Sequence, residues 1–562
     1  MTRNTDRKVT VHIIEYINPY DLAEKLIENN KLRIALVSTF FMSLFAHAYS
    51  YFNASFTMDR FRWFGNSLGI LNVSAISSGK WFATALDFLS HNSYLPWLNG
   101  LLTIIFLAYS VYVICRVMHV ETPLGVWIVA GLIVTDLSII HAHLYFVWGF
   151  AEALALVCVS LHVWENERIR LWERVVIGAL FVGFSLATYG SYTSIGLAIV
   201  NLACIIMLIN GEECKKVLSR GVEYIVSFLG GLLIYYSIQR ILLKVLDIEM
   251  ISYMGEDKLV KGTSIQEVLY LIEIAFKNAV LRYMGVYRTG YSVMPQWVAI
   301  ALLVLGGAML IMLVFTNKGQ AISPKSILLL SFLIAIFPLS SGSIYVMAFG
   351  NVHQLMLFAF VSFYIGLVRL SEMCFRNTNS FKYESERLDG NALVSVVKAV
   401  CSGLVIILMI GVIYKGILVA NMVYSRLDNL YEISNNIAVR VLDRIESCEG
   451  FEGDEHVYLV GDVTDSNYFS NSRYTYSDAL DLIDGMLAVD KSQANVFLYY
   501  SHFIMLMKEN TEVNLDIDYY NEGVSGFSDS ERSEINDMPC FPADGSVNKL
   551  GDSIVVKFAE NQ

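Results

Sequence analysis

Asp59 is the one acid in residues 53–67, NASFTMDRFRWFGNS, set among Phe52, Phe56, Phe61, Trp63 and Phe64 and followed by Arg60 and Arg62. Aromatic side chains collect at the lipid headgroup level, so this carboxylate is expected at the rim of a bilayer. There it could take a proton from a hydroxyl as that oxygen attacks a lipid-linked substrate. The plain alternative is a solvated acid balanced by two arginines. Other ionisable groups lie within or beside apolar runs: Asp136 in VTDLSIIHAHLYF, Glu152 in FVWGFAEALAL, and Arg240, Lys398 and Lys415. A charge inside a membrane costs at least a few kcal/mol, so it normally faces the protein interior or a wet cavity and marks function. Asp136 and Glu152 flank a turn around His141 and His143 and are expected to approach the surface where Asp59 lies. Glu152 suits catalysis and a buried ion pair equally, whereas Asp136 reads first as a buried partner of Lys or Arg. His141 and His143 are two residues apart and point away from each other on a helix, which favours interfacial anchoring over metal binding. Arg282 and Arg288, in LRYMGVYRTGY, could hold a phosphate with paired donors or snorkel as a belt.

The elements that must position these groups are membrane helices. Of the 562 residues, 55% are hydrophobic and only 16% charged, and the mean hydropathy is +0.51. A window of about 19 residues places spans at 33–53, 95–117, 124–141, 146–164, 174–190, 192–210, 221–243, 296–316, 326–342, 351–370 and 393–418. The fold class expected is an all-α polytopic domain of about eleven helices followed by a small α/β domain. The third, fifth and ninth spans are short enough to be bent or re-entrant. The domains are 1–32, a cytoplasmic segment; 33–418, the membrane domain with outer loops 54–94 and 244–295; and 419–562, an exported domain.

Orientation follows from basic flanks, which stay in the cytoplasm. Lys25, Lys31 and Arg33, then Arg116, then Arg168, Arg170 and Arg174, then Lys215, Lys216 and Arg220, then Lys318 and Lys325, then Arg369, Arg376, Lys382 and Arg387 fall at every second loop. The N-terminus is therefore expected in the cytoplasm, with the tail on the opposite side of the membrane and no cleavable signal peptide. Charge agrees with that division. Residues 446–562 hold 23 acids against 6 Lys plus Arg, a net −17 that leaves +5 for the rest of a chain whose total is −12.

In the second loop, Val260, Ile265, Val268, Leu269, Ile272 and Phe276 fit one face of a helix lying along the membrane surface. The tail shows strand-like EHVYLVGDV, ANVFLYYSHFIML and DSIVVKF, with helical YSDALDLIDGMLAV between them, and a loop over MPCFPADGSVNKLGD. The eight cysteines show no metal-ligand spacing. Cys448 and Cys540, the two in the exported tail, are left open as a disulfide.

A first outer loop with an acid just beyond the first span, a second long outer loop, about eleven helices and an exported tail together resemble the GT-C membrane glycosyltransferases. Within them the chain is most similar to the serotype-converting O-antigen glucosyltransferases (Gtr, type II group). The residues behind the likeness are His47, Tyr49 and Tyr51 leading to Asn53 and Asp59; SSGKWFATAL, where Lys80 stands in place of the family's Arg; LATYGSYTS, where Thr193 replaces a common Gln; and PCFPADGSVNKLGDSIVVKF. The resemblance implies transfer of a hexose, typically glucose, from a polyprenyl-phosphate sugar donor to O-antigen repeats, lipid-linked acceptors, on the periplasmic face.

In that frame Asp59 and Glu152 are the catalytic candidates. Arg60, Arg62, Trp63, Lys80, Trp81, Asp136, His141, His143, Arg282, Arg288 and His353 are substrate-binding candidates. Phosphate leaves without protonation, so cations suffice for it, and a bridging divalent cation is an open option with no ligand set assigned. Membrane lipids are partners and nucleic acid is not. The alternatives are a related transferase acting on lipid A or protein, and a lipid-linked sugar flippase.

Overall fold

In the computed structural model the residues described are 28–53, 73–87, 95–144, 149–251, 264–287, 294–316, 323–379, 390–461, 463, 500–513, 515–520 and 526–559. They divide into two compact units. One holds the described residues up to Val419 except Phe52, Asn53, His143 and Leu144; the other holds those four and everything from Ala420 onward.

The first unit is helical: α1 (Asn30–Phe52), α2 (Val73–Ser77), α3 (Trp81–Asp87), α4 (Pro96–Val117), α5 (Pro123–Val134), α6 (Leu137–Leu144), α7 (Gly149–Glu165), α8 (Leu171–Tyr189), α9 (Ser194–Ile209), α10 (Cys214–Leu246), α11 (Ile265–Tyr283), α12 (Gln296–Thr316), α13 (Pro324–Ser341), α14 (Ser343–Met347), α15 (Val361–Asn379) and α16 (Gly390–Glu446), whose last part enters the second unit. Eight of the described helical runs are long and apolar enough to cross a membrane, and α5 with α6, bent by 51°, makes a ninth. The described parts of the stretches expected to span are mostly helical, but the expected tenth, 351–370, opens on non-helical residues and two 3-10 turns, Gln354–Met356 and Phe358–Phe360, before α15. The expected third span is this bent pair. The expected fifth and sixth form one run of 39 residues, about twice what a crossing needs, interrupted by the 3-10 turn Gly190–Thr193. The expected fourth is α7, with 17 residues.

Local sequence sets where these helices start. Thr122 caps α5, its Oγ1 accepting the Gly125 N–H at 3.0 Å, with Pro123 at the first helical position where a missing N–H costs nothing. Ser264 and Ser323 cap α11 and α13 in the same way. Helices α8 and α10 approach closely because of small residues: a Cβ on Gly231 would lie 2.6 Å from Val182 and 2.9 Å from the Ala179 carbonyl.

One end of the bundle is polar and paired. Glu223, buried on α10, accepts from Arg174 Nε at 2.7 Å, Arg174 Nη2 at 3.0 Å and Arg220 Nη1 at 3.0 Å. Arg220 also donates to the Trp164 carbonyl, and its guanidinium lies 4.4 Å from the Trp164 ring centre. Arg116 pairs with Glu165 at 2.7 Å. Glu372 of α15 accepts the N–H groups of Glu121 and Thr122 at 3.1 and 3.0 Å, tying that helix to the start of α5. These are the arginines of the expected cytoplasmic clusters, several of them fastened to acids.

Helix α11 forms as expected but buries a different face. Leu271, Ala275, Ala279 and Tyr283, four residues apart, are the buried ridge, while Ile265, Leu269 and Phe276 are exposed. Of the charges in apolar runs, Lys398 is buried, whereas Arg240 and Lys415 are exposed instead of facing inward. A long Lys or Arg stem can lie along an apolar surface and carry its charge to the interface.

The second unit contains a four-stranded sheet of β1 (His456–Val460), β2 (Asp516–Tyr519), β3 (Val547–Leu550) and β4 (Ser553–Lys557) in the order β2-β1-β4-β3. Strand β1 runs parallel to both neighbours, and β3 and β4 are an antiparallel hairpin, whose two-residue turn uses Gly551 at φ +57°. Val460, Ile535, Leu550 and Val555 form an apolar core with Phe527 and Met538. The expected strand ANVFLYYSHFIML is overturned in its described part, which is helix α17 (Tyr500–Glu509). Phe503, Leu506 and Met507 are buried there at three-and-four spacing, and a short apolar run does not by itself separate a strand from a buried helix. The expected helix YSDALDLIDGMLAV lies outside the described residues. Helix α18 (Asp529–Asp537) precedes the hairpin. No disulfide joins Cys448 to Cys540.

Glu455, at the start of β1, accepts Lys549 Nζ at 2.8 Å and the N–H groups of Glu452 and Gly453 at 2.7 and 2.9 Å. Burial works to raise its pKa, but these donors outweigh it and lower the carboxyl from 4.5 to about 2. A folded-state pKa depressed in this way stabilises above the unfolded value, and the stability is lost as pH falls from about 4.5 towards 2. Glu455→Gln is expected to remove about 1–2 kcal/mol after solvent screening and to flatten that acid loss. Hydrogen exchange of β1 and β4 peptides in the intact protein reads it; unchanged protection at pH 7 would show the carboxylate to be idle.

Candidate active site

The bend between α5 and α6 is built by polar groups in an apolar setting. Thr135 closes α5, its N–H and Oγ1 both donating to the Gly131 carbonyl at 2.9 and 2.8 Å. Asp136 then starts α6: Oδ1 accepts the Ser138 N–H at 2.8 Å and its carbonyl accepts Ile139 and Ile140. In an unbroken helix Ser138 would donate to Val134. The Val134 carbonyl is instead paired with buried His47 Nε2 at 2.8 Å. One carboxylate and one imidazole thus replace the bond lost at the break. His47→Ala should cost about 1–3 kcal/mol by leaving that carbonyl unsatisfied, and His47→Gln should recover part of it; the midpoint of thermal unfolding in detergent decides, and an unshifted His47→Ala protein would refute the assignment.

Asp136 and its surroundings lie at the end of the bundle away from the arginine network. Helix α5 runs from Thr122 towards Asp136, α7 from Glu152 towards Glu165, and α8 from Leu171 to Tyr189. The Ser138 hydroxyl donates to the Gln354 carbonyl at 2.9 Å, fastening the connection after α14 to α6. Buried Tyr192, on the 3-10 turn, stacks on Phe358 with centroids 5.0 Å apart and meets Phe150 at 5.9 Å and Tyr189 at 5.7 Å. Thr193 Oγ1 holds that turn by donating to the Gly190 carbonyl at 2.6 Å.

Cations approach from two sides. Arg282, in the last turn of α11, is half-buried and lies over the rings of Tyr287 at 5.1 Å and Phe360 at 5.2 Å. Its charge acts on Asp136 and on Tyr364. Lys80 lies 5.4 Å from the centre of the Tyr189 ring. The chain delivers it there by a left-handed stop at Gly79, φ +79°: the Gly79 N–H donates to Ile76 at 3.0 Å and the Lys80 N–H to Ala75 at 2.8 Å, the paired bonds of a helix C-terminus. Trp81 follows at the head of α3 and packs edge-on against Phe184 at 6.2 Å, inside an apolar cluster with Val182 and Leu186.

The structure therefore brings Asp136, Arg282, Tyr192 and Tyr364 into one neighbourhood, with Lys80 beside Tyr189. Asp136 is a half-buried helix cap with an arginine in electrostatic range. Glu152, half-buried in the first turn of α7, has its carboxylate near Gly149, which also faces Thr188. His141 is buried, His353 is exposed, and the two act on each other electrostatically. His143 is buried in the second unit. Asp59, Arg60, Arg62, Trp63 and Arg288 lie outside the described residues. Sequence reasoning missed His47, Ser138 and Gln354 as parts of the site's frame. The signal for Ser138 was in Thr-Asp-Leu-Ser: a capping residue inside an apolar run marks a helix restart. Two cations and aromatic faces around an acid can bind a phosphorylated sugar through charge-assisted hydrogen bonds and stacking.

A family model described as Glucosyl transferase GtrII matches residues 65–375. The chain belongs to the GtrII glucosyl transferase family. Neither the curated proteins nor the solved structures provide a match. GtrII membership makes the chain a glycosyltransferase and a relative of the serotype-converting enzymes. The GtrII match holds Lys80, Trp81, Asp136, His141, His143, Glu152, Arg282, Arg288 and His353; it begins after Asp59 and ends before Ala420.

Proposed function

We propose that this GtrII-family protein transfers a hexose, glucose, from a polyprenyl-phosphate donor to O-antigen repeat units of lipopolysaccharide at the periplasmic face of the bacterial inner membrane. The family match over residues 65–375 carries this reading. The arginine network supports the sidedness, because positive flanks stay in the cytoplasm and the Asp136 neighbourhood lies at the other end of the helices.

Asp59 is the general base. It accepts the proton of the acceptor hydroxyl while that oxygen bonds to the anomeric carbon. The bond from that carbon to the phosphate oxygen breaks, and its electron pair leaves with polyprenyl phosphate. Arg282, with Arg288 and Lys80, holds the phosphate and offsets the charge that grows on it. Glu152 assists with the acceptor, and Arg60, Arg62 and Trp63 are assigned to binding the donor. His353, His141 and His143 are further candidates for binding the substrate, while Asp136 keeps the broken span in shape. Were a divalent cation to take part, Asp59 is the residue that would hold it, and it would supply positive charge to offset that of the phosphate.

The test is mass analysis of the host O-antigen repeat with and without the gene, together with transfer by purified protein from polyprenyl-phosphate glucose. One added hexose, and its transfer in vitro, is the expected result. An unchanged repeat in cells that hold the protein in the membrane would overturn the acceptor assignment. Transfer from a soluble nucleotide sugar would overturn the donor.

A further inference from the structure

The part of the second unit from Ala420 onward lies beyond the family match, and its sheet carries a ligand set of its own. His456 of β1 stands opposite Asp516 of the edge strand β2, and Asp518 follows two residues along. Residues two apart project from the same face of a strand, so the three share one side of the sheet. Nδ1 of His456 lies 3.0 Å from Asp516 Oδ2, and Nε2 lies 3.2 Å from Asp518 Oδ2. One donor atom from each residue falls within 4.8 Å of the others. From these distances we infer that His456, Asp516 and Asp518 form a binding site for a divalent transition-metal cation, Zn2+ or Mn2+.

Two features point to an ion. First, a neutral imidazole has one N–H and one lone pair, yet both ring nitrogens face carboxylate oxygens. His456 Nε2 is itself buried without a hydrogen bond, so in the neutral ring a lone pair and an anion confront each other, a conflict that either a proton or a bound cation removes. Second, the fit is close. Oxygen and nitrogen ligands about 2.0–2.2 Å from one ion lie about 3.3–3.6 Å apart in a tetrahedral site and about 4.4 Å apart when opposite one another, and both carboxylates are largely exposed and able to turn towards a shared ion. One imidazole with two carboxylates suits Zn2+ or Mn2+ better than Mg2+ or Ca2+, which favour oxygen alone. Bound there, the ion clips the edge strand β2 to β1 and leaves at least one coordination position for water or an oxygen of a bound sugar or phosphate. The inference stands apart from the transfer reaction.

The whole protein, purified in detergent and stripped with a chelator, is titrated separately with Zn2+ and Mn2+ and its metal content measured after desalting. One ion per chain and a rise in the thermal unfolding midpoint are expected. The Asp516→Asn/Asp518→Asn protein should bind at least about tenfold more weakly and lose the rise, and His456→Gln should do likewise. Asp529→Asn, at an exposed acid of the same unit, should match the wild type. Circular dichroism confirms that the asparagine variants fold. Equal binding by wild type and the double variant would place the ion elsewhere, and absence of binding of either ion by the wild type would reduce the cluster to an imidazolium between two acids; either result overturns the site.

Discussion

Asp59→Asn protein is expected to insert in the membrane as the wild type does and to lose sugar transfer by about 10²–10⁴-fold, the usual contribution of a general base. Asparagine keeps the size of the side chain but cannot accept the proton, so the loss should fall on kcat and leave donor binding nearly intact. Asp59→Ala should lose as much. Glu152→Ala separates the roles of the two acids: a raised KM with little change in kcat identifies a group that positions the acceptor, whereas an equal collapse of kcat would make Glu152 part of the proton transfer. Radiolabelled transfer from polyprenyl-phosphate glucose, measured in the same membranes with protein quantified by blot, gives both constants. If both Asp59 variants turn over normally, the base lies elsewhere. Glu152 is then the first candidate, as the acid that the described fold sets at the end of α7 away from the arginine network.

Hydropathy located the long helices of the first unit because lipid demands length and apolarity of every crossing, but the short α2, α3 and α14 gave no such signal. Polar detail was harder to see. The bend at Asp136 was suggested by a short third span, but its purpose depends on His47 meeting Val134 across 87 positions of sequence, which no local pattern reveals. Asp136 was expected first as the partner of a cation. It proved to be a helix cap as well, because a carboxylate inside an apolar run satisfies its own backbone before anything else. The face chosen for α11 was wrong for a related reason: Ile265, Leu269 and Phe276 face outward where lipid can cover them, whereas the small residues Ala275 and Ala279 allow close packing. In a membrane the bulkier apolar stripe is no longer the one that must be buried.

In the second unit the ambiguity was between strand and helix. Alternation identified EHVYLVGDV and DSIVVKF correctly, but the run through Phe503 and Met507 is apolar without a clear period. Nor did cysteine counting help with metals, since the His456, Asp516 and Asp518 ligands come from two strands joined only by parallel pairing. The two short runs carrying them, EHV and DID, look like ordinary polar strand edges.

The largest loss of stability is expected from Glu223→Ala. Glu223 is the single acid between two buried arginines, with its side chain 2% exposed and those of Arg174 and Arg220 at 10% and 9%. Removing it leaves two like charges side by side without the acid they share, which costs about 3–5 kcal/mol. The cost should appear as a large fall in the unfolding midpoint, visible in the fluorescence of Trp164, whose ring lies against Arg220. Glu223→Gln should do almost as badly, because it keeps the shape and loses the charge. Lys216→Ala, which breaks an exposed pair with Glu167 and another with Glu212, should shift the midpoint by less than about 1 kcal/mol. Replacing Arg174, Arg220 and Glu223 together by methionine is the discriminating case. A buried ion cluster holds the helices together less by its attraction than by the penalty of leaving it incomplete, so the triple variant should be more stable than Glu223→Ala alone. If it is instead the least stable of the set, the triad is a source of net binding energy between α7, α8 and α10, and these helices depend on it to pack.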